Sequence, residues 1–362
     1  MIDKVLLFPY WFALKFRHFM FDKGIRKVST PDVPSICIGN ITVGGTGKTP
    51  HTEMILRTLL NDEDWGNKNL AVLSRGYKRS TRGFQQVITD GTADEYGDEP
   101  LQIKRKFPDV TVAVDKSRKE GCSFLCNPEA LQTSRKAKRC RHKELPKSDL
   151  IILDDAFQHR AVKASASIVL VDYNRPVFKD HLMPLGRLRD LPERLAAADI
   201  IIVTKCPPDM NVWEKSQWIN ALKASDKQHV FFTKICYDTA APVYPEGDTR
   251  YIYTKKLILF SGIANDTPLR HFLSSDYKIV RHFNFPDHHR FSRNDIRSIE
   301  SAVKYYPTSV VMTTEKDCQR VRDCKKLSDN LKVRMFYTPI KTEFLSEEEK
   351  STFVSTLKSF LK

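Results

Sequence analysis

An apolar strand that runs into a glycine-rich loop ending in Gly-Lys-Thr leaves a chain few folds to choose from, and residues 36–50, ICIGNITVGGTGKTP, have that form. Such a loop needs a strand to deliver it and a helix to receive it, because main-chain amides and the helix N-terminus together hold phosphate oxygens. Gly44, Gly45 and Gly47 allow the close backbone approach. The candidate nucleotide-binding residues are therefore Thr42, Val43, Gly44, Gly45, Thr46, Gly47, Lys48 and Thr49. Lys48 is placed to reach the β and γ phosphates of a nucleoside triphosphate, and the Thr49 hydroxyl to ligate Mg²⁺. The pattern departs from G-x-x-x-x-G-K-T at one point, since Thr42 stands where the first glycine is expected.

The rest of the chain agrees with that local signal. Short β-branched runs alternate with longer amphipathic stretches, the pattern of a largely parallel sheet covered by helices on both faces. Strands are predicted near Ser35–Ile38, Leu70–Leu73, Val110–Val114, Leu150–Leu153, Ile168–Val171 and Ile200–Val203. From Phe231 to Tyr253, Thr, Tyr, Pro and Gly replace helical periodicity, which reads as an extended connector. A second α/β unit then begins at Leu257–Phe260 and continues through Tyr277–Phe283, Ser309–Thr313 and Val333–Tyr337. The expected fold class is α/β: a P-loop NTPase-like, mostly parallel sheet flanked by helices, with an N-terminal amphipathic helix and a second, smaller α/β domain. Its expected boundaries are 1–28 for the helix, 29–230 for the nucleotide-binding domain, 231–255 for the connector and 256–362 for the C-terminal domain.

A P-loop needs a carboxylate at the end of a neighbouring strand to hold the metal. LIILDDAFQHR, residues 150–160, provides one: four apolar residues deliver Asp154 and Asp155 to a strand's C-terminal edge, where open α/β sheets bind ligands. Residue order does not choose between the two aspartates.

The first 27 residues interleave Phe8, Trp11, Phe12, Phe16 and Phe19 with Lys15, Arg17, Lys23, Arg26 and Lys27. Aromatic bulk with cations suits a helix lying in a bilayer interface, although an amphipathic helix capping the protein's own core has the same pattern. Pro9 is expected to start or kink it. No run of about 18 apolar residues is long enough to span a bilayer. The net charge of +15 favours anionic partners, with no choice among nucleic acid, lipid and phosphorylated substrate. The basic run 134–147 lacks aromatic platforms and reads as a solvated surface insertion, so no nucleic-acid partner is expected. Eight cysteines without a C-x-x-C pair fit reduced thiols, and the spacing of Cys122, Cys126, Cys140 and His142 matches no common zinc knuckle.

Three further segments, SRGYKRSTRGF at 74–84, YGDEP at 96–100 and LMPLGRLRD at 182–190, complete a set with GNITVGGTGKTP, DDAFQHR, FPDHHRF at 285–291 and VVMTTEKD at 310–317. In this order the set resembles the tetraacyldisaccharide 4'-kinase family, which acts in lipid A biosynthesis, over most of the chain. The threonine at 42 belongs to that family's variant loop. The resemblance implies transfer of the γ-phosphate of ATP, with Mg²⁺, to the 4'-hydroxyl of tetraacyldisaccharide 1-phosphate at the cytoplasmic face of the bacterial inner membrane. It implies peripheral membrane contact, and a monomer is expected. Asp98 in GDEP matches the proposed catalytic aspartate and His288 in PDHH its partner, with His289 as an adjacent alternative; by residue type alone Asp98 reads as a turn residue before Pro100. Arg189, with Arg187 beside it, matches the arginine-bearing segment, and Arg75 is a further candidate for phosphate charge. Ala156 and Asp190 depart from the glycine and glutamate usual in the family.

Two other readings compete. A P-loop GTPase would carry N-K-x-D, of which VTKC at 203–206 keeps only Thr-Lys. A non-enzymatic adaptor that uses its positive charge would leave the P-loop, the aspartate pair and GDEP without purpose.

Overall fold

The computed structural model describes residues 2–324 and 326–362, with side chains from Leu7 onward. In chain order the strands are β1 Ser35–Gly39, β2 Leu70–Ser74, β3 Gln85–Gln86, β4 Thr111–Val114, β5 Leu150–Asp154, β6 Ala166–Asp172, β7 Ile200–Thr204, β8 His229–Tyr237, β9 Ala241–Pro242, β10 Lys256–Ser261, β11 Lys278–Asn284, β12 Val310–Thr314, β13 Met335–Thr338 and β14 Ile340–Phe344. They form a nine-stranded sheet, β14-β8-β7-β6-β1-β5-β2-β4-β3, and a five-stranded sheet, β11-β10-β12-β13-β9. The larger sheet is parallel except for its outermost strands, with β3 antiparallel to β4 and β14 antiparallel to β8.

The near-continuous apolar runs of β1, β2, β5 and β7 follow from burial on both faces, which a parallel sheet covered by helices imposes. Successive residues then feed opposite cores. Ile36, Ile38, Ile152, Ile168 and Ile202 join one cluster, while Cys37, Ile151, Leu153, Val169 and Val203 join the other. The ten strands expected from sequence are all present, within a residue or two at their ends.

The domain boundaries differ from the sequence expectation. β8 belongs to the larger sheet and reaches Tyr237, so the segment read as a connector supplies a strand to each sheet. The chain also crosses back at its end: β14 pairs with β8, and the final helix, Glu347–Ser359, packs Phe353 between Phe231 and Phe344. The second domain is thus an insertion closed by a return to the first. The basic run 134–147 is less detached than expected, because a short 3-10 turn at Arg135–Arg139 buries Ala137, and Cys140 is buried beside it.

The N-terminal helix, Ile2–Asp22, runs through Pro9 rather than starting there. The core-capping reading holds on one face, and the opposite face is exposed. Leu14 and His18 are buried and Tyr10 packs on the core, while Phe8, Trp11, Phe12, Phe16 and Phe19 form an exposed stripe in which Phe8 stacks on Trp11 and Phe12, and Phe12 on Phe16. Among the described residues no helix is long and apolar enough to cross a membrane.

Candidate active site

The site lies where the first domain's strand ends meet the second domain. β1 sits between β5 and β6, and the register Ile38↔Asp154 sets the end of β5 beside the start of the P-loop. The loop is shaped by main-chain constraints that its glycines accept: φ is +108° at Gly44 and +89° at Gly47, values that strain other residues. Its carbonyls are engaged from outside. Lys205 Nζ donates to Gly45 O, Thr204 Oγ1 to Thr46 O at 3.0 Å, and His51 Nδ1 to Gly47 O at 2.7 Å. Burial pushes the His51 imidazole down to about 4, so it stays neutral and holds this bond while Nε2 lies 2.9 Å from Thr233 Oγ1. With those carbonyls occupied, the amides of Gly44, Gly45 and Gly47 have no protein acceptor among the described residues. They remain available to an anion, at the N-terminus of a helix that opens at Lys48.

Lys48 Nζ lies 3.8 Å from Asp155 Oδ1, which places the P-loop lysine and the aspartate pair together. The two aspartates have different surroundings. Asp155, at a left-handed φ of +46°, is gripped by both terminal nitrogens of Arg189, whose guanidinium also meets the Asn40 side chain. Burial pushes the Asp155 carboxyl up, but the Lys48 charge and the Arg189 contacts outweigh it and hold the carboxyl down at about 2. Asp154 is buried, accepts a hydrogen bond from Ser74 Oγ at 3.0 Å through Oδ2, and leaves Oδ1 without a partner among the described residues. Burial first, then the Glu99 and Asp155 charges, push its carboxyl up to about 6. An ionisable oxygen short of positive charge, at the edge of a phosphate loop, has the chemistry of a cation ligand. The Thr49 hydroxyl belongs to the first turn of the same P-loop helix.

Asp98 is not a turn residue: it is buried and opens the helix Asp98–Lys106, after Gly97 at φ +94°. His288 Nδ1 approaches Asp98 Oδ2 at 3.1 Å across 190 residues of sequence. The neighbouring histidine faces elsewhere, with His289 Nε2 at 2.9 Å from Asp295 and its ring stacked on Phe285. A left-handed φ of +61° at His288 turns successive side chains apart. Arg320 donates to the same Asp98 oxygen, with Nε at 3.2 Å, and Lys316 Nζ lies 3.1 Å from His288 Nε2. Burial alone would raise the Asp98 carboxyl; the His288 hydrogen bond and the Lys316 and Arg320 charges together hold it well below the usual carboxylate range. Glu99, next in sequence, lies 3.6 Å from Lys316 and close enough to Asp154 to perturb it. The two domains therefore meet within one charged cluster. A second bridge supports it: Lys106 lies 2.7 Å from both Glu53 on the P-loop helix and Glu315 on the Glu315–Val321 helix.

The arginines divide. Arg189 is engaged with Asp155 and Asn40 rather than projecting free. Arg187 and Arg175 line a small cavity beside Thr42–Thr46, and Arg75 is exposed near Arg118 and His159. The N-terminal helix is fastened to this segment, as Tyr10 OH donates to Arg189 O at 3.0 Å and His18 Nε2 lies 2.7 Å from buried Asp190. Sequence reasoning missed Lys316, Arg320, Glu99 and Asn40 as site residues. For Lys316 the signal was available: TTEKD follows an apolar strand, so the rule that exposed Asp154 at the end of β5 applies equally at the end of β12.

Comparison with known proteins gives the family. The sequence profile of the family described as tetraacyldisaccharide-1-P 4'-kinase matches residues 4–360. The tetraacyldisaccharide 4'-kinase of Parabacteroides distasonis is 38% identical over 356 residues, covering 95% of this chain and 90% of that protein. That of Flavobacterium johnsoniae is 36% identical over 351 residues, covering 95% and 94%. The crystal structure of LpxK from Aquifex aeolicus in complex with ATP superposes with a TM-score of 0.71 at 23% identity, covering 100% of both chains, which shows the shared fold. With the profile and the relatives both spanning nearly its whole length, the chain belongs to the tetraacyldisaccharide-1-phosphate 4'-kinase family.

Proposed function

We propose that the protein transfers the γ-phosphoryl group of ATP to the 4'-hydroxyl of tetraacyldisaccharide 1-phosphate, giving lipid IVA at the cytoplasmic face of the inner membrane. The observation that carries this reading is the approach of His288 to Asp98, at 3.1 Å, in the same charged cluster that reaches Asp154 and the P-loop through Glu99. A nucleotide hydrolase needs no second domain to set a histidine against a carboxylate there, whereas a kinase must orient an acceptor hydroxyl.

In this reading the P-loop amides and Lys48 hold the triphosphate, and Asp155, fixed by Arg189, holds Lys48 in place. Thr49 Oγ1 and the unpartnered Asp154 Oδ1 are the oxygens suited to Mg²⁺, with Asp155 already occupied by cations. Magnesium, when bound, supplies charge neutralisation to the β and γ oxygens. Asp98 orients the 4'-hydroxyl and accepts its proton as the new O–P bond forms and the bond to the ADP oxygen breaks. A carboxylate held this low is a weak base, so its orienting role outweighs its basicity; a loose phosphoryl-transfer transition state asks chiefly for positioning. The exposed aromatic stripe, with Lys15 and Arg17 on the same helix, docks on the bilayer that holds the lipid.

The direct test is incubation with ATP, Mg²⁺ and tetraacyldisaccharide 1-phosphate in mixed micelles, read by mass spectrometry. Addition of one phosphate, lost in Lys48→Ala, is expected. A folded, ATP-binding sample that yields no such product refutes the assignment.

A further inference from the structure

His288 is contacted at both ring nitrogens, and the contacts are of opposite kinds. Nδ1 faces Asp98 Oδ2 at 3.1 Å and Nε2 faces Lys316 Nζ at 3.1 Å, with the Asp287 carboxylate farther from Nε2, at 3.8 Å. An ammonium has hydrogens to donate and no lone pair, so its hydrogen bond to Nε2 needs that nitrogen bare. The ring's proton then sits on Nδ1, where it donates to Asp98. Lys316 does not float in this position: Glu99 Oε1 and Asp287 Oδ1 each lie 3.6 Å from its ammonium and Asp98 Oδ2 lies 4.0 Å away. Asp98 and Glu99 come from the first domain, His288, Asp287 and Lys316 from the second. Asp98 is further fixed by Arg320, and the Tyr77 ring meets His288 edge-on at 5.4 Å.

We propose that Lys316 is a positioning residue that sets the tautomer of His288, holding it neutral with the proton on Nδ1 so that it orients the Asp98 carboxylate. This rests on the assignment of Asp98 and His288 to the acceptor side of the kinase. It removes His288 as the proton acceptor, because a second ring proton at Nε2 would meet the Lys316 ammonium at hydrogen-bond distance. The proton of the attacking hydroxyl therefore ends on Asp98, and the imidazole keeps its own. It also makes the tautomer a property of the closed pair of domains, since two of the carboxylates that seat Lys316 belong to the opposite domain.

The test uses the full chain labelled with ¹⁵N-histidine, with the His288 signals assigned by their loss in His288→Gln. Two-bond ¹H–¹⁵N spectra distinguish a protonated from a bare ring nitrogen. Wild type is expected to show protonated Nδ1 and bare Nε2. Lys316→Met, similar in length but uncharged, should populate the Nε2–H form and lower kcat about tenfold or more with KM for ATP nearly unchanged. Lys316→Arg should restore the Nδ1–H form and most of the rate. A wild-type ring with Nε2 protonated overturns the proposal without any variant. A Lys316→Met protein that keeps the wild-type tautomer also overturns it, whatever its rate. If wild type shows the Nδ1–H form but no kinase activity, the tautomer assignment stands and the functional reading falls.

Discussion

Replacing Asp98 by asparagine preserves shape and volume while removing the charge on which the proposed acceptor half of the site is organised. Two magnitudes follow from the structure. A positioned proton acceptor contributes roughly 10²–10⁴ in rate, so kcat should fall by that factor, about 2.7–5.5 kcal/mol in barrier. The residues proposed to bind ATP belong to the P-loop and include Lys48, so KM for ATP should change by no more than about twofold. Stability should fall as well, because the Asp98 and Arg320 side chains are each only 8% exposed and lie 3.1 Å apart. Removing one partner's charge from a buried pair costs about 3–5 kcal/mol, and the lower end applies here because Arg320 keeps Asp317 at 3.1 Å. The pH dependence has a definite sign. A carboxyl held below its unfolded value of about 3.9 contributes stability that is complete above that pH and is lost as pH falls through the depressed folded value. The gap between wild type and Asp98→Asn should therefore be constant near neutrality and close progressively below about pH 4. Steady-state kinetics with both substrates, and urea unfolding at neutral and acid pH, measure all three. A variant with kcat within tenfold of wild type refutes the role of Asp98 at the acceptor, and a collapse of nucleotide affinity makes it a structural or metal-holding group instead.

Two further outcomes are expected. Phe353→Ala removes a fully buried ring packed 5.3 Å from Phe231 and 4.9 Å from Phe344, which should cost about 3–5 kcal/mol and expose β8, β14 and the P-loop domain to hydrogen exchange. Loss of protection confined to β10–β13 would contradict the return of the final helix to the first domain. Replacing Phe8, Phe12 and Phe16 together by serine removes exposed rings that contact nothing in the core, so folding and the phosphorylation of micelle-dispersed acceptor should persist while partitioning onto anionic vesicles falls by about 10²-fold or more. Undiminished sedimentation with vesicles would mean that another surface meets the membrane.

Sequence by itself determined the parts of this protein that are contiguous in the chain. A P-loop is a local object: Thr42–Thr49 carry their geometry in glycine positions and a helix start, and Asp154 and Asp155 are placed by the apolar run before them. The periodicity of ten strands was legible for the same reason, since burial on both faces writes itself into consecutive residues. Tertiary structure alone decided what met across long separations. β14, with residues of mixed polarity at the sheet's outer edge, has no strong apolar signature, and only its pairing with β8 shows where the chain ends up. Asp98 and His288 are 190 positions apart, and Arg320 is 222 positions from Asp98. Motif resemblance pointed to Asp98 and His288, but not to which histidine turns inward, which aspartate keeps a free oxygen, or which cations surround the pair. Those depend on a left-handed residue, a bidentate arginine and a closed interface, and each is a free-energy balance between groups that residue order does not bring together.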